Sequence, residues 1–207
     1  MIMTETKRSQ SAADNSIMVV GSIAPLEDCY SPELFPGSNT AVQEFSILGE
    51  WLTGAGVDIL LLETMNSIEE TEAALIGIEN FGLPIWISFV LKDDHHLFSG
   101  ESIARAIETV KDYSVDCVML NCNPLDRTVK AVENLIKNWP NRWGVYPNLG
   151  VGEPSPDGHI VHYEEMAYFL STMRKIIKLG PSIMGACCGS HSEHILALNN
   201  LQYEFSV

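Results

Sequence analysis

Six short apolar runs, each followed by a longer segment with a helical pattern, constrain the fold of this chain more than any other feature. The runs lie at 17–24, 57–62, 85–90, 115–121, 143–148 and 182–186. Strands that alternate with helices in this way indicate right-handed βαβ units and a parallel sheet. Because the runs are apolar throughout, we expect both faces of the sheet to be covered. The predicted fold class is therefore α/β.

Several polar or metal-binding side chains stand where these predicted strands end. In parallel α/β folds the functional site lies at the carboxyl ends of the strands. The residues that this rule collects at one rim are Glu63, Ser88, Cys122, Asn148, Cys187 and Cys188. The sequence therefore predicts a single site that combines thiols with a carboxylate, a hydroxyl and an amide.

Two adjacent cysteines, Cys187 and Cys188, stand between Gly185 and Gly189. Neighbouring side chains on a regular strand point to opposite faces, so both thiols reach one ion only where the backbone bends, and the glycines permit a bend. Together with Cys122 they form a set of three thiolates, which leaves one position of a zinc ion open, as in catalytic zinc sites. The competing interpretation is three small buried side chains. The adjacency of two thiols and the third cysteine at a strand end favour the metal site.

The remaining cysteines and two histidines are interpreted differently. Cys117 lies in the middle of a predicted strand and is expected in the core. Cys29 lies in a loop whose length suggests a functional role, but we leave it out of the site. His191 and His194 follow the cysteine pair, so a structural zinc with two cysteines and two histidines is a rival hypothesis. We disfavour it because a helix start directly after Cys188 has little freedom to wrap around the same ion.

Composition limits the class of protein and of partner. A length of 207 residues suits one domain, and 46% hydrophobic with 19% charged residues describes a globular chain. The net charge of −15 argues against nucleic acid or an anionic membrane as a partner. Five cysteines, an odd number without a regular spacing, suit a reducing cytoplasm.

The residues resemble the homocysteine S-methyltransferase family. The resemblance rests on the Gly-Ala-Cys-Cys-Gly-Ser segment at 185–190, similar to the family's Gly-Gly-Cys-Cys-Gly-Thr, and on Asn121-Cys122, similar to its Asn-Cys. Further support comes from Glu63-Thr64 and from the Tyr-Pro-Asn-Leu-Gly segment at 146–150. These segments occur in the family's order, and the resemblance extends from about residue 19 to residue 198.

The resemblance implies a (β/α)8 TIM barrel, of which about six βα units are found. We expect that the first two strands are missing and that residues 1–16 form a polar tail or the remnant of a helix. Residues 17–207 would form the homocysteine-binding-like barrel domain. Either the chain is a truncated gene product, or a partner supplies the missing part, since an open parallel sheet exposes two edges.

The resemblance also implies a function. The three cysteines would hold Zn²⁺, and the thiol of homocysteine would be methylated to give methionine. Glu63 is similar to the family carboxylate that holds the substrate ammonium, although a carboxylate at a helix entry is an equal alternative from sequence. Ser88 and Asn148 would form hydrogen bonds in the substrate pocket. Without the resemblance, polar packing at the rim is the favoured interpretation of each of these two residues.

Partners and alternatives remain open in part. The methyl donor is left open among S-methylmethionine, S-adenosylmethionine, betaine and a methyl-carrying cobalamin or folate. The expected partners are therefore small molecules, namely homocysteine and a methyl donor. The sequence is also compatible with assembly into a homo-oligomer. The main alternative is a catalytically incomplete zinc-binding or assembly protein of the same fold. A weaker one is an unrelated α/β enzyme with nucleophilic cysteines, which gives no reason for two adjacent thiols.

Overall fold

The computed structural model describes residues 18–151 and 162–205, and this part of the chain is built on one parallel sheet. Its strands are β1 (Val20–Ile23), β2 (Ile59–Met65), β3 (Ile85–Phe89), β4 (Val115–Pro124), β5 (Trp143–Asn148) and β6 (Ile183–Met184). The strands pair in chain order, and every pair is parallel. The six predicted strands and the α/β class are confirmed, while the predicted tail at 1–16 lies outside the described residues.

A helix follows each strand. The helices are α1 (Ser38–Ala55), α2 (Ile68–Ile78), α3 (Ile103–Val110), α4 (Leu125–Asn138), α5 (Met166–Ile177) and α6 (Ser192–Phe205). Two short 3-10 turns, Pro32–Leu34 and Glu79–Phe81, lie beside α1 and α2. In the described part of the chain, no helix combines the length and the apolar character needed to cross a membrane.

The start of α2 shows how local sequence ties a loop to the sheet. Ser67 caps the helix, since its hydroxyl accepts a hydrogen bond from the Glu70 N–H at 3.3 Å. The Glu70 carboxylate accepts its hydrogen bond from the Leu26 N–H, at 2.8 Å, and not from Ser67. Glu70 is only 2% exposed, and this burial raises the pKa of its carboxyl group. The loop after β1 is therefore anchored on a buried acidic side chain.

The two faces of the sheet are covered in different ways. One face packs against the helices and forms the main core, with Phe45, Phe89 and Phe169 among its largest fully buried side chains. The other face carries a small cluster made by strand residues alone: Ile59, Leu61, Trp86, Cys117 and Met119. We call this second face the inner face. Cys117 is fully buried there, as predicted for a core residue.

Coverage of the inner face is incomplete at β1. Alternate residues of this strand are buried and exposed, and its inner-facing Val20 is 37% exposed while Ser22 is also exposed. Our expectation that both faces are covered therefore holds for the central strands and is wrong at β1. The physical reason is that the inner face is covered only by side chains of neighbouring strands, and β1 is an edge of the described sheet.

Close contact between α1 and α2 gives a test of the packing. A Cβ atom added at Gly77 would lie 2.9 Å from the Val42 carbonyl oxygen and 3.0 Å from the Phe45 Cβ. Gly77→Ala should lower the free energy of unfolding by about 1–2 kcal/mol, because overpacking outweighs the gain in helix propensity. The control is Gly54→Ala in α1, where an added Cβ meets no atom within 4 Å. This substitution should raise stability by up to about 1 kcal/mol, and denaturant unfolding measures both effects. Equal effects of the two substitutions would contradict the packing described.

Candidate metal centre

Three thiols from distant parts of the chain meet at the carboxyl ends of the strands. The sulphur atoms of Cys122 and Cys188 are 3.4 Å apart, and those of Cys187 and Cys188 are 3.9 Å apart. All three sulphurs lie within 4.8 Å of one another. Cys122 is buried, Cys187 is half-buried and Cys188 is exposed, so the cluster opens to solvent on one side. Within the ranges described, this is the one group of three or more possible metal-binding side chains.

Main-chain hydrogen bonds hold the cysteine pair against the end of β5. The Cys187 N–H donates to the Pro147 carbonyl at 2.8 Å, and the Leu149 N–H donates to the Cys188 carbonyl at 2.9 Å. The Ser190 hydroxyl donates to the Cys187 carbonyl at 2.7 Å and closes the turn. These bonds continue the pairing of β5 with β6 beyond the two residues of β6.

The two flanking glycines serve different purposes. Gly189 has a φ of 79°, which an L side chain rarely adopts, so it provides the expected bend. Gly185 has no such φ; instead, a Cβ at this position would lie 3.0 Å from the Cβ of Tyr146. Gly185 is therefore needed for the close approach of β6 to β5, and the bend depends on Gly189 alone.

Cys122 is brought to the pair by an irregularity in β4. The register between β4 and β5 shifts between Asn121 and Pro124, and Cys122 has a φ of 53°. A left-handed residue at such a bulge redirects its side chain away from the regular alternation. The third thiol therefore faces the other two because the strand departs from ideal geometry at this residue.

Hydrogen bonds among the three thiols shift their pKa values in opposite directions. Hydrogen bonds from Cys122 and then Cys187 lower the pKa of Cys188 to about 3. Hydrogen bonding to Cys122 and Cys188, together with burial, raises the pKa of Cys187 far above its ordinary value. For Cys122, hydrogen bonding to Cys187 lowers the pKa, but hydrogen bonding to Cys188 and burial outweigh it and raise the pKa to about 11. Among the three thiols, the pKa of Cys188 is therefore the one that the neighbouring thiols lower on balance.

Glu63 lies on the same rim and faces the inner side of the sheet. Its Oε2 accepts a hydrogen bond from the Ser22 hydroxyl at 2.5 Å, and its carboxylate also interacts with the Tyr146 hydroxyl. Burial is the main reason that the pKa of Tyr146 is raised, with the negative charge of Glu63 next. For the alternative role as a carboxylate at the entry of α2, the partners found for Glu63 are Ser22 and Tyr146, which belong to β1 and β5.

Ser88 and Asn148 are placed at the rim in different surroundings. Ser88 is fully buried, its hydroxyl lies 2.5 Å from the Tyr146 hydroxyl, and it accepts the Thr64 N–H at 3.3 Å. Asn148 is half-buried at the end of β5, and its Oδ1 accepts the Gly150 N–H at 2.6 Å. The structure thus joins Ser88 to the Glu63 network through Tyr146, and it turns the Asn148 oxygen toward its own loop.

Two tyrosines at the site were not identified from the sequence. Tyr146 bridges Glu63 and Ser88, as described above. Tyr30 lies in the loop after β1, hydrogen-bonds the Cys122 side chain and stacks edge-on against Phe98 with ring centres 5.2 Å apart. Burial, followed by the nearby thiols, raises the pKa of Tyr30. The unusual length of this loop was the one available signal for Tyr30, whereas the alternation of β5 could have placed Tyr146 on the inner face.

Cys29 lies near the cluster but is not a member of it. Its carbonyl accepts a hydrogen bond from Asn66 Nδ2 at 3.1 Å, and burial is the main cause that raises the pKa of its thiol to about 11. The Cys188 charge contributes a smaller part of that increase. Cys29 thus stays outside the group of three sulphurs that lie within 4.8 Å of one another.

The rival set with two histidines is not formed in the described residues. The His194 Nδ1 accepts the His191 N–H at 3.1 Å, which ties this ring to the start of α6. The His194 ring also packs edge-on against Phe169, with ring centres 5.3 Å apart. His194 therefore supports the helix, and neither histidine joins the three thiols.

A family model and several curated relatives match this chain. The family model described as homocysteine S-methyltransferase matches residues 1–201. Homocysteine S-methyltransferase of Escherichia coli is 26% identical over 196 residues, which is 88% of this chain and 62% of that protein. Homocysteine S-methyltransferase YbgG of Bacillus subtilis is 28% identical over 147 residues, 70% of this chain and 46% of the relative. The chain thus spans less than two thirds of the length of these relatives.

Solved structures show the same fold. The apo form of the homocysteine methyltransferase MmuM from Escherichia coli superimposes with a TM-score of 0.76 at 21% identity, over 97% of this chain and 76% of that chain. The metallated form of MmuM gives a TM-score of 0.70 at 24% identity, over 95% and 65% of the two chains. The six described βα units thus have the TIM-barrel type of fold. Because the family model covers nearly the whole sequence, this chain belongs to the homocysteine S-methyltransferase family.

Proposed function

We propose that this chain carries a zinc-dependent site that transfers a methyl group to the thiol of homocysteine and so forms methionine. The observation that carries the proposal is the cluster of Cys122, Cys187 and Cys188 at the strand ends of a chain from this family. The names of the relatives from Escherichia coli and Bacillus subtilis support the choice of reaction.

The spacing of the thiols fits a tetrahedral zinc ion. With zinc–sulphur bonds of ~2.3 Å, two thiolate ligands of one tetrahedral ion lie ~3.8 Å apart. The Cys122–Cys188 and Cys187–Cys188 sulphur pairs, at 3.4 Å and 3.9 Å, lie on either side of this value, and the whole set is within 4.8 Å. Soft thiolate ligands also favour zinc over magnesium or calcium. Side-chain shifts of no more than about 1 Å would therefore complete the three protein ligands.

The open position of the ion explains why three ligands are sufficient. Zinc, when bound, would favour the thiolate form of a substrate thiol, which is the nucleophilic form. The residues of this chain then have to bind and orient the substrate, because attack of a thiolate on an activated methyl group needs little proton transfer. Positioning and electrostatics should therefore supply most of the rate enhancement.

Glu63 is the proposed partner of the substrate ammonium group. Its carboxylate is half-buried and already accepts a hydrogen bond from Ser22 and interacts with Tyr146. These two hydroxyl groups fix the orientation of the carboxylate, so a substrate ammonium meets a negative charge that is held in place. A charge-assisted hydrogen bond of this kind is stronger than one between neutral groups.

Ser88 and Asn148 are proposed as supporting groups of the substrate pocket. Ser88 is fully buried, so it acts by holding the Tyr146 hydroxyl beside Glu63. Asn148 follows Pro147, whose carbonyl accepts the Cys187 N–H. Since the Asn148 Oδ1 accepts the Gly150 N–H, its Nδ2 is the group that would reach a substrate beside the thiols. The methyl donor in this proposal is a small molecule such as S-methylmethionine or S-adenosylmethionine. The three free thiols also suit a reducing compartment such as the cytoplasm.

A second candidate is a zinc-binding protein without methyl transfer. It is favoured by the exposed inner face of β1, where Val20 and Ser22 lack a covering strand in the described part of the chain. Ser22 is the hydrogen-bond partner of Glu63, so this exposure affects the proposed ammonium site directly. The metal centre is common to both candidates, and turnover separates them.

Metal content and methyl transfer, measured on one preparation, test the proposed function. The purified protein should contain stoichiometric zinc and form methionine from homocysteine with S-methylmethionine or S-adenosylmethionine. Cys188→Ser should lose both properties, because a neutral hydroxyl is a poor zinc ligand. Cys29→Ser removes a thiol near the cluster but outside it, and should keep both.

The outcomes of this experiment separate the candidates. Zinc without methionine formation would favour the zinc-binding protein without methyl transfer. Stoichiometric zinc in Cys188→Ser would contradict the metal centre itself.

The role of Glu63 can be tested by removing its charge alone. Glu63→Gln keeps an acceptor for Ser22 but should raise the KM for homocysteine about 10- to 100-fold. Loss of a hydrogen bond to a charged group weakens binding by about this factor. Zinc content should not change. Glu69→Gln is the control, since Glu69 is an exposed acidic residue of α2 that accepts a hydrogen bond from Ser38. An unchanged KM in Glu63→Gln would exclude Glu63 as the ammonium partner.

A further inference from the structure

Two residues of the rim adopt a backbone conformation that non-glycine residues avoid. Among the described residues, Thr64 with a φ of 65° and Cys122 with a φ of 53° are the non-glycine residues with positive φ. For Thr64 the conformation is especially unfavourable, because its side chain is branched at Cβ. Such conformations persist where the surrounding structure holds them, and they concentrate at functional sites.

Each of these residues lies in a break of the strand register. The pairing of β2 with β3 shifts between Leu62 and Met65, which encloses Thr64. The pairing of β4 with β5 shifts between Asn121 and Pro124, which encloses Cys122. The two breaks therefore occur at the same end of the sheet, on two strands separated by β3.

A side-chain hydrogen bond joins the two breaks across β3. Asn121 Nδ2 donates to the Thr64 Oγ1 at 2.7 Å, and Asn121 is only 1% exposed. Thr64 is also fixed to β3, since its N–H donates to the Ser88 hydroxyl at 3.3 Å. Asn121, which precedes Cys122, is thus held by Thr64, which follows Glu63.

The Asn121 side chain depends on Thr64 for its hydrogen bonding. Its Oδ1 is buried and has no hydrogen-bond partner among the described residues, so the bond from Nδ2 to Thr64 anchors the amide. Loss of the Thr64 hydroxyl would leave the whole buried amide unsatisfied, which favours a rearrangement of Asn121. Any rotation of the Asn121 backbone would move Cys122, the next residue along the chain.

We propose that Thr64 is a positioning residue of the metal centre: through Asn121 it holds Cys122 in the left-handed conformation that turns its thiol toward Cys187 and Cys188. The same residue adjoins Glu63, so one hydrogen bond sets the metal ligand and the carboxylate relative to each other. This inference rests on the proposed function only in requiring that the three thiols bind a metal ion.

The test compares metal affinity among Thr64 variants of the whole chain. Thr64→Val keeps the shape of the side chain and removes the hydroxyl group. Its zinc affinity, measured by competition with a chelator, should fall at least about tenfold, as for other groups that orient metal ligands. The absorption of the Co²⁺-loaded protein, which reports on thiolate coordination, should change as well. Thr64→Ser retains the hydroxyl and should restore both properties.

Two further variants separate positioning from stability. Thr71→Val removes a buried hydroxyl that donates to the Ser67 carbonyl at 2.6 Å, outside the network around the thiols. It should lower thermal stability and leave zinc affinity unchanged. Thr64→Gly removes the hydroxyl but adopts positive φ readily, so it folds without the strain at this position and should still bind zinc at least about tenfold more weakly.

Zinc binding by the Thr64 variants and by the wild-type protein tests the positioning role and the proposed function separately. Wild-type zinc affinity and an unchanged Co²⁺ spectrum in Thr64→Val or Thr64→Gly would overturn the inference and leave the proposed function intact. Absence of zinc binding by the wild-type protein would instead overturn the proposed function and, with it, the role of Thr64.

Discussion

The main-chain hydrogen bonds that join the end of β5 to the cysteine pair are the interaction on which the site depends. Cys122 and Cys188 are 66 residues apart in sequence, and only the parallel sheet brings them to one rim. The strand β6 has just two residues, so the bonds from Cys187 to Pro147 and from Leu149 to Cys188 extend the pairing to the thiols. Because these are backbone bonds, the main-chain positions of Cys187 and Cys188 follow from the fold.

The rest of the rim is specified by deviations from regular strand geometry. Positive φ at Thr64 and Cys122 turns side chains away from the alternation of the strands, and hydrogen bonds among polar side chains hold these deviations. Hydrogen bonds lead from Glu63 through Tyr146 and Ser88 to Thr64 in the bulge of β2. From Thr64 a further hydrogen bond leads to Asn121, the residue before Cys122, so the carboxylate and this thiol belong to one connected structure. Conflict between local preference and global structure is expected at functional sites, and here it coincides with the candidate metal centre.

The strands and the thiol cluster could be predicted from the sequence, because they depend on hydrophobic periodicity and on residue type. The six strands follow from apolar runs between helical segments, and the cluster of three thiols follows from two adjacent cysteines and a third at a strand end. Tyr30 and the bond between Asn121 and Thr64 could not be predicted, because they depend on loop conformation and on register between strands that are far apart in sequence. The hydrogen bond of Glu70 depends on the same kind of distant contact, because its carboxylate accepts the N–H of Leu26, 44 residues away.

X-ray absorption spectroscopy of the zinc-loaded protein tests the central claim most directly, since it counts the sulphur atoms around the ion. The account predicts three sulphurs at ~2.3 Å and one lighter atom at ~2.0–2.2 Å, which corresponds to three cysteine ligands and one open position. A shell with fewer than three sulphurs would mean that Cys122, Cys187 and Cys188 do not act together on one ion. A shell of four sulphurs in the absence of a thiol substrate would contradict the open position, and with it the proposed binding of homocysteine.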